Sequence, residues 1–204
     1  MTVEIHWLGH DAFRLEGEKT VYIDPWKLPE GLPPAHLILI THDHYDHCSP
    51  EDVEKVRTAE TVVAAPAAAA AKLKAPVTIV QPGDQLDLNG VPVEVVPAYN
   101  IDKPFHPKQA GHVGYIVTLG GERIYHTGDS DPIPEMNDLK VDIALLPVSG
   151  KYVMDADQAA ELAGRLRPKL AIPMHYGEIV GSEADARRFQ ERCPVPVRIL
   201  QPER

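Results

Sequence analysis

Seven residues, Thr41-His42-Asp43-His44-Tyr45-Asp46-His47, follow directly on the apolar run Leu37-Ile38-Leu39-Ile40. A short continuous apolar run reads as a buried strand, so three imidazoles and two carboxylates are crowded at the end of an element fixed in a sheet. Burying that many donors is costly unless they are paired or hold a cation. Neutral imidazole together with carboxylate suits zinc, iron or manganese. Ser49-Pro50-Glu51-Asp52 comes next and supplies an N-cap, a proline in the first turn and acids at the positive helix end. A helix is therefore predicted to about Arg57, with the cluster in the turn between strand and helix.

The remaining elements follow from periodicity and punctuation. Val3 to Leu8, Ala12 to Leu15 and Thr20 to Asp24 are short β-type runs parted by Gly9-His10 and Gly17, a meander. Thr61 to Ala65 reads as strand, the alanine-rich stretch Pro66 to Leu73 as a helix packed close on a sheet, and Val77 to Val80 as strand. Val91 to Ala98, Gly114 to Leu119 and Glu122 to His126 form a second sheet, the last two joined by the tight turn Gly120-Gly121. Asp142 to Val148, Leu170 to Met174 and Val197 to Leu200 read as interior strands, interleaved with capped helices starting near Asp155 and Ser182. No linker, charge block or fixed-period repeat interrupts the chain, and its two halves share one rhythm of strands followed by β-α units. The expectation is one domain over residues 1–204, an α/β four-layer αββα sandwich with two sheets face to face and helices outside.

Composition narrows the partners. With 204 residues, 44% of them apolar, the chain can close a core without disulfides. A formal charge of −10 opposes nonspecific attraction to nucleic acid or an anionic membrane. Cys48 and Cys193 match no zinc or redox spacing and read as reduced thiols. Cys48 adjoins the cluster, where a thiol could react. No apolar run approaches the roughly 20 residues that span a bilayer, and the N-terminus lacks a basic region followed by an apolar one. A cytoplasmic protein is expected. Twenty prolines, in a chain where about ten would be usual, stiffen the loops.

A metal needs donors from other segments. Asp129 leaves the strand Arg123-Ile124-Tyr125-His126 through Thr127-Gly128, and His175 ends Ala171-Ile172-Pro173-Met174. Each sits at a strand end, where a rigid sheet fixes geometry. With Thr41–His47, Thr127-Gly128-Asp129-Ser130 and Pro173-Met174-His175, the chain resembles the metallo-β-lactamase fold superfamily, and within it the branch of L-ascorbate-6-phosphate lactonase-like and related zinc-dependent hydrolases. The resemblance runs from Gly9-His10 and Ile23-Asp24-Pro25 to His175. It implies a dinuclear centre in which His42 and His44 hold one divalent ion, Asp46, His47 and His175 the other, and Asp129 bridges them. Zn2+ is the expected metal, with Mn2+ or Fe as alternatives. The family supplies one more ligand between the Val91 and Gly114 strands. His106 is preferred here because it lies in an irregular loop, with His112 and Asn100 as alternatives. Asp24 resembles the acid that supports a metal-binding histidine. His10 is expected at the pocket rim, and His6, His36 and His126 are read as structural.

Such a centre implies hydrolysis: water between two cations ionises near neutral pH and attacks a small ester, lactone, amide or phosphodiester, with Asp46 or a metal-bound water relaying the proton. Tyr176 and Lys108 are candidate donors to the developing oxyanion, and Lys103, Lys108 and Lys151 candidate contacts for an anionic substrate group. The expected partner is a small molecule, anionic if those lysines engage it, and self-association into a homo-oligomer stays open. A nuclease of the same fold and a non-catalytic metal-binding regulator are the alternatives.

Overall fold

The computed structural model describes residues 3–203, and these form two six-stranded sheets built from consecutive halves of the chain. The first holds β1 (Glu4–Gly9), β2 (Ala12–Glu16), β3 (Thr20–Ile23), β4 (Leu37–Leu39), β5 (Val62–Ala65) and β6 (Thr78–Ile79) in sequence order. β1 to β3 are an antiparallel meander, and β3 to β6 run parallel. The second holds β7 (Gln85–Leu88), β8 (Val91–Pro97), β9 (Val113–Leu119), β10 (Glu122–His126), β11 (Ile143–Pro147) and β12 (Leu170–Met174). β7 to β10 are antiparallel and β10 to β12 parallel, so each half repeats the same plan.

Alternation along the strands sorts side chains between layers. Val21, Ile23, Leu37, Leu39 and Ala64 join the core shared with the second sheet, while Tyr22, Ile38, Val63 and Ala65 face a separate cluster. Val53 and Val56 of α1 (Pro50–Val56) and Ala69 of α2 (Ala67–Ala70) close that cluster from outside. On the other side, α3 (Ala156–Leu166) packs against β11, and α4 (Glu183–Arg192) against β12. Ala159, Leu162, Ala163 and Leu166 form the buried stripe of α3, the i, i+3, i+4, i+7 spacing of an amphipathic helix. The result is the αββα sandwich expected from the pattern.

Two local expectations fail, and one strand went unpredicted. The alanine stretch is helical only over Ala67–Ala70: no side chain caps its start, and Lys72 and Leu73 close with i→i+3 bonds to Ala69 and Ala70 before Pro76 ends the segment. Val197–Leu200 is not a strand. Pro194, Pro196 and Pro202 remove the donors a ladder needs, leaving one isolated bridge between Val197 and Ala171. Conversely, Gln85–Leu88 forms β7, paired with β8 across Asn89-Gly90, a turn whose two residues both adopt positive φ.

No helix among the described residues is long and apolar enough to cross a membrane. The segments that leave β1, β3, β4, β10, β11 and β12 carry His10, Asp24, the Thr41–His47 turn, Asp129, Ser149 and His175. Those strand ends converge on one edge of the sandwich, the place where open α/β sheets commonly bind ligands.

Candidate metal centre

The turn after β4 brings His42 Nε2 to 3.1 Å from His44 Nδ1, and His106 Nε2 lies 3.1 Å from that same His44 nitrogen. Beside this triad, Asp46 Oδ2 lies 3.7 Å from His47 Nε2. The carboxylate of Asp129 stands between the two groups. Its Oδ1 is 3.5 Å from His47 Nε2, and its Oδ2 is 3.2 Å from His175 Nε2 and 3.4 Å from His106 Nε2. His42, His44, Asp46, His47, His106, Asp129 and His175 are thus brought together, and the sets of donors close enough to share an ion include His42, His44, His106, then His10, Asp46, His47, His175, and Asp11, His47, Asp129, His175.

The outward ring nitrogens define what the inward ones present. His47 Nδ1–H donates to Asp24 Oδ2 at 2.8 Å, and His106 Nδ1–H to the Tyr152 carbonyl at 3.0 Å. Thr41 Oγ1–H is committed to Asp24 at 2.6 Å, so its oxygen accepts from His42 Nδ1–H at 2.9 Å. Ser149 Oγ lies 2.8 Å from His175 Nδ1. In these tautomers His42 and His106 turn lone pairs inward on either side of His44 Nδ1, each at 3.1 Å; one ring proton on that nitrogen can serve only one of them, whereas a cation can serve all three. Nitrogens bound to one tetrahedral zinc at about 2.0–2.1 Å stand roughly 3.3–3.4 Å apart, close to the spacings found. His47 Nε2 and Asp129 Oδ1 are buried with no hydrogen-bond partner, as metal donors would be.

The electrostatics agree. Burial by itself would lower the His47 pKa, but Asp129 and Asp24 together hold it well above the usual imidazole range. Burial would lower His175 too, but Asp129 beside it pushes it up to about 9. Burial also favours protonation of Asp129, yet His175 and His47 keep its carboxyl well below the ordinary carboxylate range. His42 and His106 shift down, chiefly through burial, and stay neutral. This corner attracts positive charge and keeps neutral imidazoles next to it, which is what a divalent cation requires.

Residues 4–175 match the family model of the β-lactamase superfamily domain. The chain belongs to the metallo-β-lactamase superfamily. It is 35% identical to a UPF0173 metal-dependent hydrolase of Thermoplasma acidophilum over 92% of its own length and 89% of the relative's. A crystal structure from Parabacteroides distasonis, provisionally named a metal-dependent hydrolase, superposes with a TM-score of 0.89 at 32% identity, covering 98% of this chain and 94% of that one. The metallo hydrolase Igni18 of Ignicoccus hospitalis shares the fold, with a TM-score of 0.81 at 24% identity and coverage of 100% and 97%.

In this member of the metallo-β-lactamase superfamily the loop between β8 and β9 sends His106 to the first triad, as preferred from sequence. Asn100 instead braces that loop, donating Nδ2–H to the carbonyls of Phe105 at 2.9 Å and Tyr152 at 2.7 Å. His112 stacks on His42 with ring centres 4.7 Å apart, its Nε2 facing Asp43 at 3.9 Å. His10 is not at the rim. It is fully buried, stacked 4.2 Å from His175, with Nε2 3.1 Å from Asp46 Oδ2, so it orients that carboxylate. Sequence reasoning passed over two neighbours. Asp11 is buried beside His47 and Asp129 without a hydrogen-bond partner, and burial raises its pKa well above the carboxylate range. Ser149 bonds His175. The Gly9-His10-Asp11 turn was the available clue to the first; nothing local marks Ser149.

Backbone strain gathers here. Of seven non-glycine residues with positive φ among those described, His10, Asp24, His106 and His175 belong to the centre. Such conformations cost about 1–3 kcal/mol each and persist where the surroundings enforce them. Gly128, at φ 62°, lets the Asp129 turn pass over the cluster, since a Cβ there would lie 2.8 Å from the Val113 carbonyl and 3.1 Å from Thr41 Cβ.

The other candidates lie elsewhere. Tyr176 is buried against Trp7, ring centres 4.9 Å apart, and does not line the cavity outside the centre. Lys108 pairs with Glu135 at 2.7 Å, Lys103 with Asp131, and Lys151 lies over the Tyr152 ring at 5.0 Å. His126 and His36 bond to backbone, and His6 sits among Glu4, Glu16 and Glu203. Cys48 is buried and its thiol is pushed up to about 11 by burial, so it is not the reactive thiol its position suggested.

Proposed function

We propose that this protein is a metal-dependent hydrolase holding two divalent cations, zinc foremost. His42, His44 and His106 would hold one, Asp46, His47 and His175 the other, with Asp129 between them and His10 setting the orientation of Asp46. One observation carries the reading: the inward nitrogens of His42, His47 and His106, each oriented by an outward ring bond, converge with Asp129 beneath an open cavity lined by His44, Asp46, His106, Asp129 and His175. Bound divalent cations would supply Lewis acidity and hydroxide near neutral pH.

The chain's own residues do the rest. Asp24, Thr41, Ser149 and the Tyr152 carbonyl hold the imidazoles in orientation and tautomer. Asp46, or a water beside it, would take the proton of the attacking water and return it to the leaving group. Burial of His10, Asp11 and Asp129 excludes water from the floor, which strengthens every charge interaction there.

Metal analysis of variants tests the assignment. Asp129→Ala is expected to lose both ions together, while His175→Ala loses chiefly the second; wild-type metal content in Asp129→Ala would refute it. A fully loaded protein that turns over no ester, lactone, amide or phosphodiester would favour the regulator. The nuclease reading has little support: the one lysine or arginine on the cavity wall, Lys72, is paired with Asp43 at 2.8 Å.

A further inference from the structure

The cavity outside the two donor sets measures about 510 Å³, within the range that takes a small organic molecule. Its floor is polar, and its wall, apart from the paired Asp43 and Lys72, is formed by Tyr45, Phe105, Tyr152 and Ile179. Five large apolar side chains are exposed among the described residues, and three of them stand here, Tyr45 at 67%, Phe105 at 41% and Ile179 at 38%. Scattered apolar residues on a surface need no explanation, whereas a patch gathered at one opening marks a binding surface. The rings are braced rather than loose. Phe105 meets Tyr152 edge to face with centres 4.7 Å apart, and Tyr45 meets Trp26 edge-on at 6.1 Å.

Charge points the same way. Lys72 is the one lysine or arginine lining the cavity, and its ammonium is engaged by the carboxylate and carbonyl of Asp43. Of the three lysines that could have received a phosphate, Lys103 and Lys108 are turned to Asp131 and Glu135, and Lys151, over the Tyr152 ring, is outside the cavity lining. A charged group held away from the reacting centre would lose its hydration and meet no free counter-charge on the wall.

We infer that the substrate is a carboxylic ester, lactone or amide whose non-reacting part is an uncharged aromatic or branched aliphatic group seated against Tyr45, Phe105, Tyr152 and Ile179. This rests on the hydrolase reading. For an ester, the oxygen of water bonds to the acyl carbon, the bond from that carbon to the alkoxy oxygen breaks, and the alkoxy oxygen takes a proton. The new carboxylic acid then releases its own.

The test compares ethyl phenylacetate, ethyl acetate, monoethyl succinate and bis(4-nitrophenyl) phosphate on the metal-loaded protein, following acid release for the esters and nitrophenolate for the diester. Ethyl phenylacetate is expected to exceed ethyl acetate in kcat/KM by about tenfold or more, the scale on which an apolar pocket discriminates, and monoethyl succinate is expected to fall below both. In Phe105→Ala and Ile179→Ser that ratio should shrink several-fold, mainly through KM, with metal content as in the wild type. Phenylacetate should bind more tightly than acetate by titration calorimetry, and Phe105→Ala should reduce the difference. Equal turnover of all esters, or preference for the succinate ester or the phosphodiester, overturns the inference and leaves the hydrolase reading intact. No turnover of any substrate by the loaded protein overturns both.

Discussion

Asp24 ties the centre to the sheet beneath it. Its carboxylate accepts from Thr41 N at 2.7 Å, Thr41 Oγ1 at 2.6 Å and His47 Nδ1 at 2.8 Å, so one side chain orients the turn and sets the tautomers of two imidazoles, that of His42 through Thr41. Because such supporting bonds are worth about 10–100-fold in metal affinity, Asp24→Ala should weaken binding by that factor in a competition titration against a chelating dye. Unchanged affinity would mean that the turn holds its own geometry. The role was legible in the sequence, as an acid closing an early strand. His10 was legible only as a turn histidine, because its burial depends on β1 lying beside the segment that follows β12, where the His10 carbonyl accepts from His175 N at 3.1 Å.

At the scale of elements, capping signals translated well and bare composition poorly. Asp155 and Gln158 form the capping box expected of them, with bonds of 2.8 and 2.9 Å, and α3 runs eleven residues from it. Asp155→Ala should cost about 1 kcal/mol. For a chain of this size that lowers Tm by about 2–4 °C, measurable by calorimetry, with metal content unchanged because Asp155 meets Ser149, the support of His175, through a backbone bridge that the substitution keeps; no shift would mean that packing alone holds the helix end. The alanine stretch had propensity without a cap and yields a single turn. Val197–Leu200 had apolar residues but prolines on either side. Gln85–Leu88 was overlooked although Leu86 and Leu88 alternate before Asn89-Gly90, because polar Gln85 and Asp87 mask a half-exposed edge strand.

For the whole molecule, ion binding and stability are linked. A ligand present at about a thousand times its Kd adds about 4 kcal/mol to the folded state, equivalent to roughly 10 °C for a chain of this size. Removing metal with a chelator should therefore lower Tm by about that amount, and restoring zinc should recover it. A Tm indifferent to complete metal removal would mean that the buried imidazoles and carboxylates satisfy one another without a cation. Such an outcome is hard to reconcile with His47 Nε2, Asp129 Oδ1 and both Asp11 oxygens standing without partners.

Local order alone determined most of the strands, the capped helices, the donor-rich turn after β4 and the repeated plan of the two halves, because periodicity, caps and turn residues act over a few positions. It also singled out Asp129 and His175, since a polar residue ending an apolar run is visible without neighbours. Tertiary structure decided which loop histidine reaches the triad, that His10 and Asp11 are buried within the centre, that Ser149 supports His175, and that aromatic and aliphatic side chains rather than lysines wall the cavity. Those facts depend on strand ends separated by tens to more than a hundred residues meeting at one edge, a distance in sequence across which no local pattern carries information.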